Sequence, residues 1–363
     1  MYILPLLLIG CVASTADKQP LCPHYTPKYA EGFTIDTDTL GRKILTITNP
    51  YQSDKPFEQR LYLLEQGQTA PATEQHIVVP ATKLSVVSSS HIGMLAAIGA
   101  QQRIVGVSGV RYVTNADVRS SAAELGTDTS LDFERIKALG TQIVLLYALY
   151  GADSATTAKL TQLGIPYIYI GDYIESSPLA RAEWIVALAA ICGMQEAGEE
   201  YFRGVEQRYN EIKARAASYS HHPKVMCNTP YNDTWFMPPV RSYAVQLIAD
   251  AGGEYIYPQN TSAASQPISL ELALLLANKA EVWINVGQTA TLEQLKRQNP
   301  KFATVPAVLN GRVYNNTKRA TDDAGSDFWE SGCIDADIVL SDMVKLLHNN
   351  ATTAELYYYK QLE

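Results

Sequence analysis

The stretch GMQEAGEEYFRGVEQRYNEIKARAAS, residues 193–218, carries Phe202, Val205, Tyr209 and Ile212 at three- and four-residue steps, with Glu, Gln, Arg and Lys between them. That is the pattern of a helix with one buried stripe. Gly193 separates it from the apolar run Leu179–Cys192, and Pro223 prevents continuation. At 1.5 Å per residue it makes a rod of roughly 37 Å, longer than an ordinary crossover needs and long enough to join two lobes.

The chain on either side alternates strands and helices. Before the rod, Leu84–Val87, Ile104–Val107, Ile143–Leu146 and Ile165–Ile170 read as buried strands; His91–Ile98, Leu131–Leu139 and Ala155–Leu163 read as helices. After it, strands are expected at Val225–Asn228, Val282–Asn285 and Val313–Tyr314, and helices at Ser242–Ala251, Leu270–Leu276, Leu292–Asn299 and Ile334–Leu347. Such alternation implies α/β architecture: two Rossmann-like lobes with largely parallel sheets joined by a single long α-helix. Residues 24–80 differ, with half-buried strands at Ile44–Thr48 and Gln59–Leu64 separated by turns, and form an N-terminal β accessory segment. The expected organisation is therefore a 24–173 N-terminal lobe including the accessory segment, linking helices over 174–220, a C-terminal lobe over 221–348 and a tail over 349–363.

A length of 363 residues fits two such bodies, and 47% hydrophobic with 18% charged residues is a globular balance. The formal charge of −8 opposes a nucleic-acid surface. The 22 Tyr are the compositional anomaly, and Tyr lines clefts with an apolar ring and a polar tip. No Gly-rich phosphate loop or nucleophile elbow is present, so an enzymatic role is not expected. The six His are scattered at 24, 76, 91, 221, 222 and 348, and the cysteines form no CxxC pair, so no metal centre is expected. Cys192 and Cys227 lie in apolar surroundings and read as core thiols.

At the N-terminus, Ile3–Ile9 is too short to span a bilayer and ends in Leu8-Ile9-Gly10-Cys11. This resembles a bacterial lipoprotein signal over residues 1–11. The resemblance implies lipidation of Cys11 and a polar tether over 12–23, so that the protein meets the membrane through its lipid anchor.

Five segments in their order and spacing carry a wider resemblance: VVSSSHIGMLAAIGA (86–100) followed by IVGVS (104–108), LDFERIKALGTQIVLL (131–146), LTQLGIPYIYI (160–170), YAVQLIADAGG (243–253) and residues 268–285. Together they resemble the ABC-transporter substrate-binding proteins of the vitamin B12, ferric siderophore and haem group, over about residues 80–348. The resemblance implies a periplasmic, lipid-anchored monomer that captures a small-molecule metal chelate and delivers it to an inner-membrane ABC permease with its ATPase. No cofactor is implied; the transported ligand is an iron complex of the ferric siderophore type, with cobalamin or a related corrinoid, or haem, as alternatives. A lipoprotein that scavenges a ligand without docking a permease is the competing role. A single helical joint implies lobe closure of about a few degrees.

The resemblance also assigns roles to residues. Each lobe has Ser-Leu followed by Glu in a first helical turn, at Ser130–Glu134 and Ser269–Glu271. Glu134 and Glu271 match the acids that meet the permease in this family, and exposed acids on both lobes can steer docking and fix its register. A local account is helix capping, with an acid near the positive helix end. Strand ends place the expected ligand contacts: Ser89, His91, Arg111, Tyr112, Tyr147, Tyr150, Asp172 and Tyr173 in lobe one; Tyr231, Trp235, Phe236, Arg241, Gln288, Lys318, Arg319, Asp327 and Trp329 in lobe two. Trp329 and Glu330 have packing and capping as a second reading. Aromatic plates with interspersed Arg suit a large, partly planar, often anionic complex. The B12 binders of the group place Trp near the docking helices; here Glu124–Ser130 and Pro258–Pro267 hold none, with Tyr255 and Tyr257 as possible substitutes.

Overall fold

The computed structural model describes residues 21–53, 55–147, 151, 154–348 and 352–363. The signal segment with Cys11, nearly all of the tether, and Tyr150 lie outside the described residues.

The long helix is continuous over Gln195–Ala216, 22 residues or about 33 Å. Phe202, Val205 and Tyr209 are buried and Ile212 half-buried, as the spacing predicts. One flank packs on Ile185–Ile191 of the linking helices and the other on Ala336–His348 of lobe two. Polar ties reinforce the second contact: Arg208 Nε meets Asp337 at 2.6 Å, Tyr209 Oη donates to Asp250 at 2.7 Å, and Lys213 Nζ meets Asp250 at 2.8 Å. The preceding apolar run is two helices, Pro178–Glu183 and Ile185–Ile191, divided at Trp184.

Lobe one holds a parallel sheet ordered Tyr167–Tyr169, Ile143–Leu146, Leu84–Val86, Ile104–Val107, Ala123–Glu124. Lobe two repeats the plan with Glu254–Tyr255, Lys224–Cys227, Val282–Ile284, Val313–Asn315 and Lys360–Gln361, the last antiparallel. Part of the expected tail is thus structural: Lys360–Gln361 is the edge strand of lobe two, and Tyr358 and Tyr359 are fully buried. In each lobe a short antiparallel strand, Ser130–Leu131 or Gln266–Ser269, leads into the helix that carries Glu134 or Glu271.

The accessory segment has more strands than the two expected. Cys22–Tyr25, Phe33–Thr37, Lys43–Thr48, Glu58–Leu64 and Gln75–Val78 form a five-stranded sheet, antiparallel except for its last pair. Phe33, Ile35, Leu45, Ile47, Leu61 and Leu63 join the main core, and Ile44, Tyr62 and Leu64 make a small cluster on the other face. Two linker carboxylates bolt the sheet down. Glu183 accepts the N–H groups of Lys28, Tyr29 and Ala30 at 2.7–2.8 Å and the Tyr25 hydroxyl at 2.8 Å. Glu175 accepts Glu31 N and Gly32 N at 3.1 Å and Trp184 Nε1 at 2.9 Å. Gly32 is required here, because a Cβ would lie 2.5 Å from the Trp184 ring.

Candidate functional site

Between the lobes lie two adjoining cavities of about 670 and 880 Å³, with Tyr147, Arg181 and Trp329 on the walls of both. The smaller is lined mostly by lobe one and the larger mostly by lobe two. Both open at the carboxyl ends of the parallel strands, where α/β folds place ligands.

Lobe one builds its wall from short turns that follow strands. After Ile104–Val107, Gly109 takes a φ of +72°, and Gly109 N and Val110 N donate to the Glu124 carboxylate at 2.9 Å. Gly126 N donates to the same carboxylate, so Glu124 is spent on shaping the loop. That loop presents Arg111 and Tyr112 to the cavity, with the guanidinium 4.6 Å from the ring centre. Ser89 lines the same cavity at the start of the helix Ser89–Ala97. Tyr147 and Tyr173 pack with ring centres 4.5 Å apart, and burial pushes the Tyr147 phenol up to about 12 and that of Tyr173 higher still.

Lobe two supplies Arg241, Gln288 and Trp329, together with Asn228 and Asn285, which follow two parallel strands with φ of +68° and +58°. Asn tolerates this left-handed geometry better than most residues. Eight residues expected at the cleft are thus on its walls: Ser89, Arg111, Tyr112, Tyr147, Tyr173, Arg241, Gln288 and Trp329.

Other expectations are corrected. His91 is fully buried and lines neither cavity; burial holds its imidazole near 4, and Asp172 lies 3.9 Å away. Trp235 is in the core of lobe two, packed on Trp283 and Phe302 with its indole N–H donating to Cys227 O at 3.0 Å. Tyr231 and Phe236 are exposed on a hairpin and line neither cavity. Lys318, Arg319 and Asp327 line a separate cavity of about 730 Å³. There Arg319 pairs with Asp327 and sits 4.5 Å from the Tyr357 ring centre, while Lys318 holds Thr353 O and Leu356 O. Tyr255 and Tyr257 are buried and do not substitute for a cleft Trp. Asp172 is buried beneath the cleft, bound to Arg181 and Ser90.

Glu330 does not cap the last helix, its second reading; it holds the turn before the helix Ala116–Ser121 of the other lobe. Its carboxylate accepts Thr114 N at 2.8 Å and Asn115 N at 2.7 Å. The helix Ser89–Ala97 comes so close to this junction that a Cβ on Gly93 would lie 2.0 Å from Glu330 O. The loop bearing Arg111 and Tyr112 is therefore held from both lobes.

The central residue was not anticipated. Arg181 projects from the linking helix Pro178–Glu183 onto both cavities, 8% exposed. Its Nε donates to Asp172 at 3.1 Å, and its guanidinium lies over the rings of Tyr243 and Trp329 at 5.7 and 5.5 Å. The signal was a lone Arg just ahead of the apolar run 184–192.

Glu134 and Glu271 are both exposed in the first turns of their helices. The caps differ: Asp132 accepts Arg135 N in lobe one, whereas Ser269 accepts Leu272 N in lobe two. Ser130 is paired in a strand, so a Ser cap is present only in lobe two of this pair.

Among the described residues, no group of three or more His, Cys, Asp or Glu is placed to hold a metal ion, and no helix is long and apolar enough to cross a membrane.

Comparison with known proteins agrees with this architecture. An uncharacterized lipoprotein of Methanocaldococcus jannaschii is 28% identical over 335 residues, 84% of this chain and 78% of that one. A periplasmic haem-binding protein from Pseudomonas aeruginosa superposes with a TM-score of 0.59 at 16% identity, covering 78% of this chain and 98% of its own. The periplasmic vitamin B12-binding protein of Vibrio cholerae gives 0.55 at 16% identity, covering 74% and 97%. At such identities the likeness is one of fold. The family model described as periplasmic binding protein matches residues 84–320, about two-thirds of the sequence, and the chain belongs to that family.

Proposed function

We propose that the protein is the solute-binding lipoprotein of an ABC importer, anchored through Cys11 outside the cytoplasm, which captures an iron chelate of the ferric siderophore type and hands it to a permease docked at Glu134 and Glu271. Proteins of this family bind small solutes and work with ABC permeases. The observation that carries the reading is the pair of adjoining inter-lobe cavities, large enough for a chelate complex and walled by Tyr, Trp and Arg. The lipoprotein relative supports the anchor.

Tyr147 and Tyr173 pack ring on ring at the cleft wall, 4.5 Å apart, an aromatic surface suited to stacking on a large chelate. The lack of Trp beside the docking helices supports a chelate over a corrinoid.

Absorption and mass spectra of protein purified from its native host test the ligand class. A ferric chelate in the purified protein is the expected result; a corrinoid or haem spectrum replaces it with the corresponding relative. Docking is tested by Glu134→Ala with Glu271→Ala. Uptake is expected to fail while solute affinity is kept. Unchanged uptake instead makes the protein a scavenger that does not use these acids.

A further inference from the structure

We propose that Arg181 is the specificity residue of the cleft, selecting solutes that carry an oxyanion, most simply a carboxylate, at the junction of the two cavities. The inference rests on the solute-binding reading above and names the charge class of what is bound.

The argument begins with the unused donors of the guanidinium. Arg181 has five N–H donors, of which Nε–H is taken by Asp172. Among the described residues Asp172 is its one hydrogen-bond partner, so the Nη groups remain for an incoming oxygen. They lie on a side chain that borders both cavities. Asp172 is fixed from behind by Ser90 Oγ at 3.3 Å, and the Tyr243 and Trp329 rings lie against the guanidinium. The group is thus held in position before a solute arrives, which lowers the ordering cost of a charge-assisted hydrogen bond.

Arg111 and Arg241 also line the cavities, beside the carboxylates of Glu124, Asp128 and Glu175. Glu124 is engaged by three backbone N–H groups, and Glu175 by two backbone N–H groups and the Trp184 indole. Selection for an oxyanion therefore rests on the placed Nη donors of Arg181 and not on a net positive field.

The test uses the full chain with three probes: ferric dicitrate and haemin, which carry free carboxylates, and haemin dimethyl ester, which carries none. Binding is followed by quenching of intrinsic fluorescence in wild type, Arg181→Lys, and Arg181→Met combined with Asp172→Asn. The double variant avoids leaving a buried carboxylate unpaired, and circular dichroism verifies that it folds. The expected result is that a carboxylate-bearing probe binds best, loses about 10- to 100-fold affinity in the double variant and retains most of it in Arg181→Lys. The loss is expected to be absent for haemin dimethyl ester. Affinity of the double variant equal to that of wild type for the carboxylate-bearing probes, or preference of wild type for haemin dimethyl ester, overturns the assignment of Arg181 and leaves the chelate reading standing. Failure of wild type to bind any of the three overturns both.

Discussion

The two walls of the cleft are made differently. Lobe one faces the gap with long side chains on tight turns, among them Arg111, Tyr112, Tyr147 and Tyr173. Lobe two faces it with short groups such as Asn228, Ala263, Ser265 and Gly287, with Arg241, Tyr243, Gln288 and Trp329 as the long ones. Three more of its large aromatics, Trp235, Trp283 and Phe302, are packed together 5.1–6.0 Å apart inside the lobe. Aromatic residues of equal size thus line the gap in one place and hold the core of lobe two in another. What separates them is side-chain parity: in Thr234–Met237, Trp235 and Met237 point inward while Phe236 points out.

The largest expected effect tests that division. Trp235→Ala removes a fully buried indole and leaves the carbonyl of Cys227 without its side-chain donor, so it should cost about 3–5 kcal/mol in chemical denaturation. Trp329→Ala, at a 44% exposed site, should barely move the midpoint yet weaken solute binding. Equal destabilisation by the two variants would erase the distinction between the walls.

Next in size is a pair of opposed pH dependences, one from the linker residue Glu175 and one from His91 in the core of lobe one. Glu175 is raised by burial to about 7, so its contribution to stability is fully present below about 4.5 and is lost as the pH rises through 7. His91 is depressed by burial to about 4, so its contribution is present above about 6.5 and is lost as the pH falls through 4. Each shift corresponds to at most about 3 kcal/mol. Between pH 4.5 and 6.5 the two slopes oppose one another. Glu175→Gln should therefore expose a stability that rises with pH in this window, and His91→Gln one that falls with pH through 7. Denaturation midpoints from pH 4.5 to 7.5 measure both, and a Glu175→Gln profile that matches wild type would refute the assignment.

The junction between the walls comes third. Glu330→Ala removes the acceptor of two backbone N–H groups in the opposite lobe, with an expected cost of about 2 kcal/mol. Amide exchange should accelerate at Thr114 and Asn115 more than in Lys224–Cys227, inside the lobe that bears Glu330. Acceleration confined to lobe two would show that the carboxylate does not hold the loop of lobe one.

Much of this arrangement is legible in the residues because its causes are local. The β-branched and leucine-rich runs at 84–86, 104–107 and 143–146 mark buried parallel strands, and the stripe Phe202–Val205–Tyr209 marks the joining helix. Cleft residues are legible to the extent that strand ends point at a ligand, which finds Tyr147 and Gln288 but not which way a side chain turns. His91 illustrates the failure: it is one residue past Ser90 on a helix whose Ser90–Leu95 segment is buried on every side. Arg181 was hidden for the opposite reason. It belongs to the linker, and its approach to the cleft depends on the packing of Pro178–Glu183 against both lobes rather than on any strand. The accessory strands were underestimated because Cys22–Tyr25 and Gln75–Val78 are short and mostly solvent-facing, so little apolar alternation marks them.

The smallest effect concerns the two helices that carry Glu134 and Glu271. They match in position, yet Phe133–Ala138 surrounds its acid with exposed Arg135 and Lys137, whereas Leu270–Ala277 surrounds its own with exposed Leu272 and Leu275. Their caps differ as well, a carboxylate in lobe one and a hydroxyl in lobe two. Asp132→Ala and Ser269→Ala should each cost about 1 kcal/mol, because each removes the acceptor for one N–H of the first turn. Salt separates them. The Asp132 cap adds a negative charge at the positive helix end, so its contribution should shrink as ionic strength rises, while that of the neutral Ser269 should not. Denaturation of both variants at low and high salt measures the difference; identical salt responses would mean that the two lobes cap these helices by hydrogen bonding alone.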